Sequence, residues 1–152
     1  MTAPVASPAT IKALQLAVSA EHAAIYGYSA AGGHLSSTRR PAGVTQFVEH
    51  STARDLLAAA LRGRHGKVPA ALPAYAIPVL GTGVAAATFL ATLDDATAAG
   101  YAGILGTTVD PALRRLAVAG LTASATRATA WRLAAGVAPA ARVFPGIAGT
   151  PA

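Results

Sequence analysis

Two carboxylates stand where apolar side chains are expected. Counting from Ile11 in alternating steps of three and four gives Leu14, Val18, Glu21, Ile25 and Tyr28, a stripe that asks for burial at every position except Glu21. The same happens further on, where Asp94 interrupts the run Leu90, Asp94, Thr97, Tyr101, Ile104. A carboxylate moved from water into an apolar helical interior costs several kcal/mol unless a cation or metal neutralises it. The chain must therefore bring partners to Glu21 and Asp94. The candidates are His50, Arg54 and Arg127, each near the middle of a helical stretch. Two chemistries are open: a metal held by Glu21, His50 and Asp94, with His22 nearby, or a metal-free layer in which protein cations answer the acids.

The elements that carry these residues follow from the stop and start signals. Ser7-Pro8 reads as an N-cap followed by proline at the first helical position, and Gly32-Gly33 as a stop, so a first helix is expected over about residues 8–32. A second is expected over 41–65, ending at Gly66, with Val44, Phe47, Ser51, Arg54, Ala58 and Leu61 on its buried stripe and His50 beside it. A third is expected over 83–105 and a fourth, opened by Asp110-Pro111, over 111–135. Residues 66–81 carry three prolines and no helical period, so they should run extended. Sixteen extended residues reach about 50 Å, against about 37 Å for a 25-residue helix, so this segment can cross the length of a bundle. The tail, 137–152, should lie over the bundle through Val143, Phe144 and Ile147. One domain, 1–152, is expected, with no repeat.

Four helices with one long crossover between the second and third is the ferritin-like arrangement, and the expected class is all-α. The run Glu21-His22-Ala23-Ala24-Ile25-Tyr26-Gly27-Tyr28 carries a more specific likeness. It is joined by His50 with Arg54-Asp55, Pro73-Ala74-Tyr75-Ala76-Ile77-Pro78, Leu121-Thr122-Ala123-Ser124-Ala125, Trp131 and Phe144-Pro145-Gly146. Together, and in this order, they resemble an alanine-rich ferritin-like domain family of unknown function. The resemblance implies the four-helix fold and implies no activity.

Ferritin-like di-metal proteins place a Glu on each of two helices and a Glu-x-x-His on each of the other two. This chain departs from that pattern. Phe47 stands three residues before His50 where a Glu is required, and from Pro111 to Ala152 there is no Asp, Glu or His. The fourth helix offers Arg127 instead, a positive charge where a metal needs a negative one. A guanidinium can hold two carboxylates, so the expected centre is a charge-paired layer without cofactor, and the single-ion set Glu21, His50, Asp94 is the alternative. Tyr28 and Tyr101 each follow an acid by seven residues, and both are expected to pack in the core with the hydroxyl on a carboxylate. Trp131 should anchor the core, and Ser51 and Ser124 should bond backbone carbonyls.

Composition narrows the function classes. There are no cysteines, which removes disulfides and thiolate metal sites. The hydrophobic fraction is 53%, and Val68 to Leu93 has no formal charge, yet its prolines and glycines break it too often for a membrane span. The start, Met1 to Thr10, lacks a basic segment followed by an apolar block, so a cytoplasmic protein is expected. Net charge is +6, and the expected fold gathers Lys12, Arg62, Arg64, Lys67, Arg114 and Arg115 at one end of the bundle. Such an end could hold phosphates weakly, but no aromatic or glycine-rich element accompanies it, and nucleic acid is not the expected partner. A non-catalytic scaffold or protein-interaction module is expected, and a homodimer, because alanine-rich faces allow close helix approach.

Overall fold

A computed structural model describes residues 6–147, and within them the fold is four helices: α1 (Pro8–Ala31), α2 (Arg40–Arg62), α3 (Gly83–Leu105) and α4 (Pro111–Ala135). The first residues of the chain and the last of the tail, on which the leader and tail expectations partly rest, lie outside the described range. The starts form as the sequence requires. Ser7, Thr82 and Asp110 each accept hydrogen bonds from backbone N–H groups of the first turn, which would otherwise be left without partners. No helix among the described residues is long and apolar enough to cross a membrane.

The expected helix ends hold within a residue except at α2, which stops at Arg62 rather than 65. The chain turns there instead. Gly66 N–H closes back on the Leu61 carbonyl at 2.9 Å, and His65 takes the left-handed conformation, φ 56°. From there the chain runs without helix to Thr82, crossing from the end of α2 to the start of α3. The strap is tied to α1 on the way: Gln15 donates to the Lys67 carbonyl, and the His22 ring nitrogen lies 3.2 Å from that of Pro69.

Packing is uneven. α3 and α4 are intimately paired, α1 packs against both α3 and α2, and the α2 and α4 backbones stand apart, joined by the Gln46–Trp131 and Glu49–Arg127 side-chain contacts. Small residues allow the closest approach, since a Cβ on Gly100 of α3 would meet the Ala17 Cα of α1 at 3.0 Å. Because only α1 packs closely along α2, its buried stripe is narrow and agrees with the expected one only at its end: Ala58 and Leu61 are buried as expected, with Gly43, His50 and Leu57, while Val44 is 60% exposed. Ser51 is only half-buried, and Arg54 lies outside the core.

Among the described residues the interior holds two apolar clusters. One holds Leu14, Val18, Leu57, Leu61, Tyr101, Ile104 and Leu113. The other holds Tyr28, Leu35, Leu80, Leu90 and Trp131. Burial of these side chains is what holds the helices together, at roughly 1.5–3 kcal/mol for each large one. Glu21, His50, Asp94, Thr97, Ser124 and Arg127, all buried, form the polar layer of the bundle.

The tail follows the bundle with its apolar side chains largely open to solvent. Val143, Phe144 and Ile147 are more than half exposed. Arginines tie the segment down: Arg132 donates to the Ala140 carbonyl at 3.0 Å and pairs with Asp95, and Arg142 pairs with Asp95 at 3.3 Å. Gly146 lies so close to α3 that a Cβ there would meet the Ala98 carbonyl oxygen at 2.5 Å.

Candidate functional site: a buried ionic layer open to one cleft

Each helix contributes one principal member to the layer: Glu21 from α1, His50 from α2, Asp94 from α3 and Arg127 from α4. Glu21, His50 and Asp94 are wholly buried, and Arg127 is 8% exposed. His50 stands between the two acids. Its Nδ1 lies 2.6 Å from Glu21 Oε2, and its Nε2 lies 3.3 Å from Asp94 Oδ1, off the line of a hydrogen bond, so that contact is electrostatic. Arg127 Nε donates to Asp94 Oδ1 at 2.7 Å. The remaining carboxylate oxygens go to tyrosines: Tyr101 donates to Glu21 Oε1 at 2.8 Å, and Tyr28 to Asp94 Oδ2 at 2.7 Å.

Around this centre the polar groups continue to find partners. Trp131 Nε1 lies 2.7 Å from both the Tyr28 hydroxyl and Gln46 Oε1. Ser124, expected to bond a backbone carbonyl, instead joins Thr97 at 2.9 Å and Arg127 NH2 at 3.2 Å, because the guanidinium arrives within its reach. Ser51 does bond the Phe47 carbonyl. Arg54 is not in the layer. It pairs with its neighbour Asp55 on the outside of α2, since the side chains on that flank face solvent rather than α4.

The electrostatics close within the layer. Burial by itself would lower the His50 pKa, but the Asp94 and Glu21 carboxylates flanking its ring outweigh burial and hold it above the ordinary imidazole value. The two carboxylates thus favour the imidazolium form of His50, and Glu21 and Asp94 are matched by His50 and Arg127. The same burial, reinforced by Asp94 and Glu21 respectively, pushes the Tyr28 and Tyr101 hydroxyls far up, so both remain neutral donors.

A metal would have to displace this arrangement. All four oxygens of Glu21 and Asp94 are engaged by protein groups, and His50 Nδ1 is itself committed to Glu21. Among the described residues no group of three or more His, Cys, Asp or Glu side chains stands where it could hold a metal ion. His22, the nearby candidate, is turned to the crossover strap. The residues present do not fit the di-metal centre that the fold can carry.

The layer reaches the surface along one side. Because α2 and α4 stand apart, a cleft of about 510 Å³ opens between them, with Tyr101 and Arg127 among its lining residues. Gly120 makes room for the Tyr101 ring, as a Cβ there would fall 2.3 Å from it. Gly120→Ala is therefore expected to destabilise the protein by about 1–2 kcal/mol: overpacking of roughly 1–3 kcal/mol outweighs a helix-propensity gain of about 1 kcal/mol. Denaturant unfolding of the two proteins checks the sign, and a more stable alanine variant would show the glycine to be idle.

The basic residues are more dispersed in role than the sequence implies. Arg64 pairs with Asp110, whose carboxyl is held below its ordinary range chiefly by that bond. Arg114 caps the end of α3 through the Leu105 and Thr108 carbonyls, at 3.1 and 3.2 Å. Two of the six expected phosphate contacts are thus spent on the fold, which leaves Lys12, Arg62, Lys67 and Arg115.

The fold has a counterpart among solved structures. It is similar to the crystal structure of a conserved hypothetical protein, rv2844, from Mycobacterium tuberculosis, with a TM-score of 0.79 and 25% sequence identity over 83% of this chain and 96% of that one. No functionally curated protein matches the chain. Residues 13–149 match the family described as "Domain of unknown function (DUF4439)", and with nearly the whole bundle inside that match the chain belongs to this family.

Proposed function

We propose that this protein is a non-catalytic binding module, in which the ferritin-like bundle keeps its central polar layer as a structural device and presents the α2–α4 side for recognition. The observation that carries this reading is Arg127. Its guanidinium reaches from α4 to Asp94 and supplies there the positive charge that the buried acid requires, while His50 answers Glu21. A layer whose acids are matched by protein cations has no open ligand position and no group held in wait for a substrate.

The alternative, a single ion on Glu21, His50 and Asp94, requires His50 to lose its proton and both acids to leave their tyrosines. Elemental analysis of untagged protein separates the two. Iron, manganese and zinc are expected far below one ion per chain after purification without chelator. One tightly held ion per chain would overturn the binding-module reading.

A further inference from the structure

The α2–α4 groove changes character along its length. On one side of the Glu49–Arg127 pair lies the 510 Å³ cleft, walled by Val48 and Leu56 from α2 and Leu116 and Ala123 from α4, with Tyr101 also lining it. On the other side lies a shallower depression of about 400 Å³ with Thr45, Gln46 and Thr126. Val48 and Leu56 are 55% and 56% exposed, an apolar rim that the fold itself leaves uncovered. From Glu49 to Leu56 the apolar part runs about 10 Å at 1.5 Å per residue. Its volume lies within the usual range of small-molecule sites, roughly 300–1,000 Å³.

One charged contact marks the junction. Arg127 NH1 points toward α2 and meets Glu49 Oε2 at 3.3 Å, while the Glu49 side chain is 51% exposed. The chain thus already seats a carboxylate on the outer edge of the guanidinium, and holds it loosely. A half-exposed pair of this kind is weak and its surface partner can swing into water. Arg127 itself cannot move, because Nε and NH2 are held by Asp94 and Ser124. A fixed, partly buried guanidinium at the end of an apolar slot, with hydroxyl and amide groups beyond, is complementary to a carboxylate bearing an apolar body.

We propose that the α2–α4 cleft binds a small anionic amphiphile, its apolar body between Val48, Leu56, Leu116 and Ala123 and its carboxylate on Arg127 in the position that Glu49 occupies. This deepens the binding-module reading and rests on it. The substitution of one carboxylate for another leaves the charge balance of the inner layer untouched, so binding needs no rearrangement of Glu21, His50 or Asp94.

Titration calorimetry of the full chain with decanoate and with decanol tests this. Decanoate is expected to bind saturably and more tightly than the alcohol. Ala123→Phe, at an exposed position facing the cleft, should weaken decanoate about tenfold or more, and Glu49→Gln, which removes the competing carboxylate, should tighten it several-fold. Thermal melts confirm that both variants fold. Equal affinity for acid and alcohol, no saturable binding, or binding indifferent to Ala123→Phe would overturn the proposal while leaving a metal-free binding module standing. Sedimentation showing the cleft closed by a second copy, with dimers lost in Ala123→Phe, would also overturn it. A stoichiometric metal ion would instead remove the reading beneath it.

Discussion

Arg127→Ala is expected to lower the unfolding free energy by about 3–5 kcal/mol, because it leaves the buried Asp94 carboxylate without its hydrogen-bonded cation. For a chain of this length that corresponds to a fall in melting temperature of about 10 °C or so. Arg54→Ala is the control. It removes an equal charge, but from a solvated pair with Asp55, and should move stability by no more than about 0.5 kcal/mol. Arg127 also holds Ser124 and reaches Glu49, so the loss spreads through the layer. Equal melting temperatures for the two variants would remove the guanidinium from its structural role.

His50→Leu should cost about 3 kcal/mol for a related reason, as Glu21 loses its cation and Asp94 loses the positive charge at 3.3 Å. It should also change how stability depends on pH. The folded-state pKa of His50 is raised, so its contribution is present in full below the ordinary imidazole value, about 6.5, and is lost as pH rises through the folded-state value. The native protein is therefore expected to weaken on the alkaline side. Tyr28 and Tyr101, also raised, add to that loss above about pH 10, where the unfolded tyrosines ionise. The leucine variant should lose the first part of this decline and keep the second. Denaturation midpoints from pH 6 upward that run parallel for the two proteins would show that His50 is not the titrating cation. Replacing the whole layer with well-packed apolar residues is a different experiment, since paired removal of buried charges is often neutral or stabilising.

Much of the arrangement was legible along the chain. The helix starts at Ser7-Pro8 and Asp110-Pro111 and the proline-rich crossover are local signals, set by which backbone groups a residue can satisfy or block. Glu21 and Asp94 stood out because burial of a lone carboxylate is costly whatever its surroundings; that each tyrosine would meet a carboxylate was legible too, but not which, since Tyr28 donates to Asp94 and Tyr101 to Glu21, each across to the acid of the other helix. The absence of any acid or imidazole after Pro111 made a carboxylate or imidazole metal ligand from the fourth helix impossible, and of that helix's four arginines Arg127 was the one placed to meet the middle layer.

Other features were invisible to periodicity. The buried stripe of α2 was misplaced except at its end, and Arg54 with it, because a period of 3.6 gives the spacing of a buried face but not which side meets a neighbour when one flank is open. In the tail, the ion pairs of Arg132 and Arg142 with Asp95 gave no periodic signal, and Val143, Phe144 and Ile147 are more exposed than expected. The role of Gln46, between Tyr28 and Trp131, carried no sequence signal at all.

By itself the sequence determined that the chain is four helices with one long crossover, that two acids enter the interior, and that the last helix answers with a cation. Those are consequences of local backbone chemistry and of the cost of burying charge, which act residue by residue. Only the tertiary structure decided that His50 bridges the two acids, that Arg54 stays outside, and that α2 and α4 part to leave a cleft beside Arg127. Such facts depend on how helices are rotated and spaced, and that is set by the sum of many weak contacts between residues far apart in the chain.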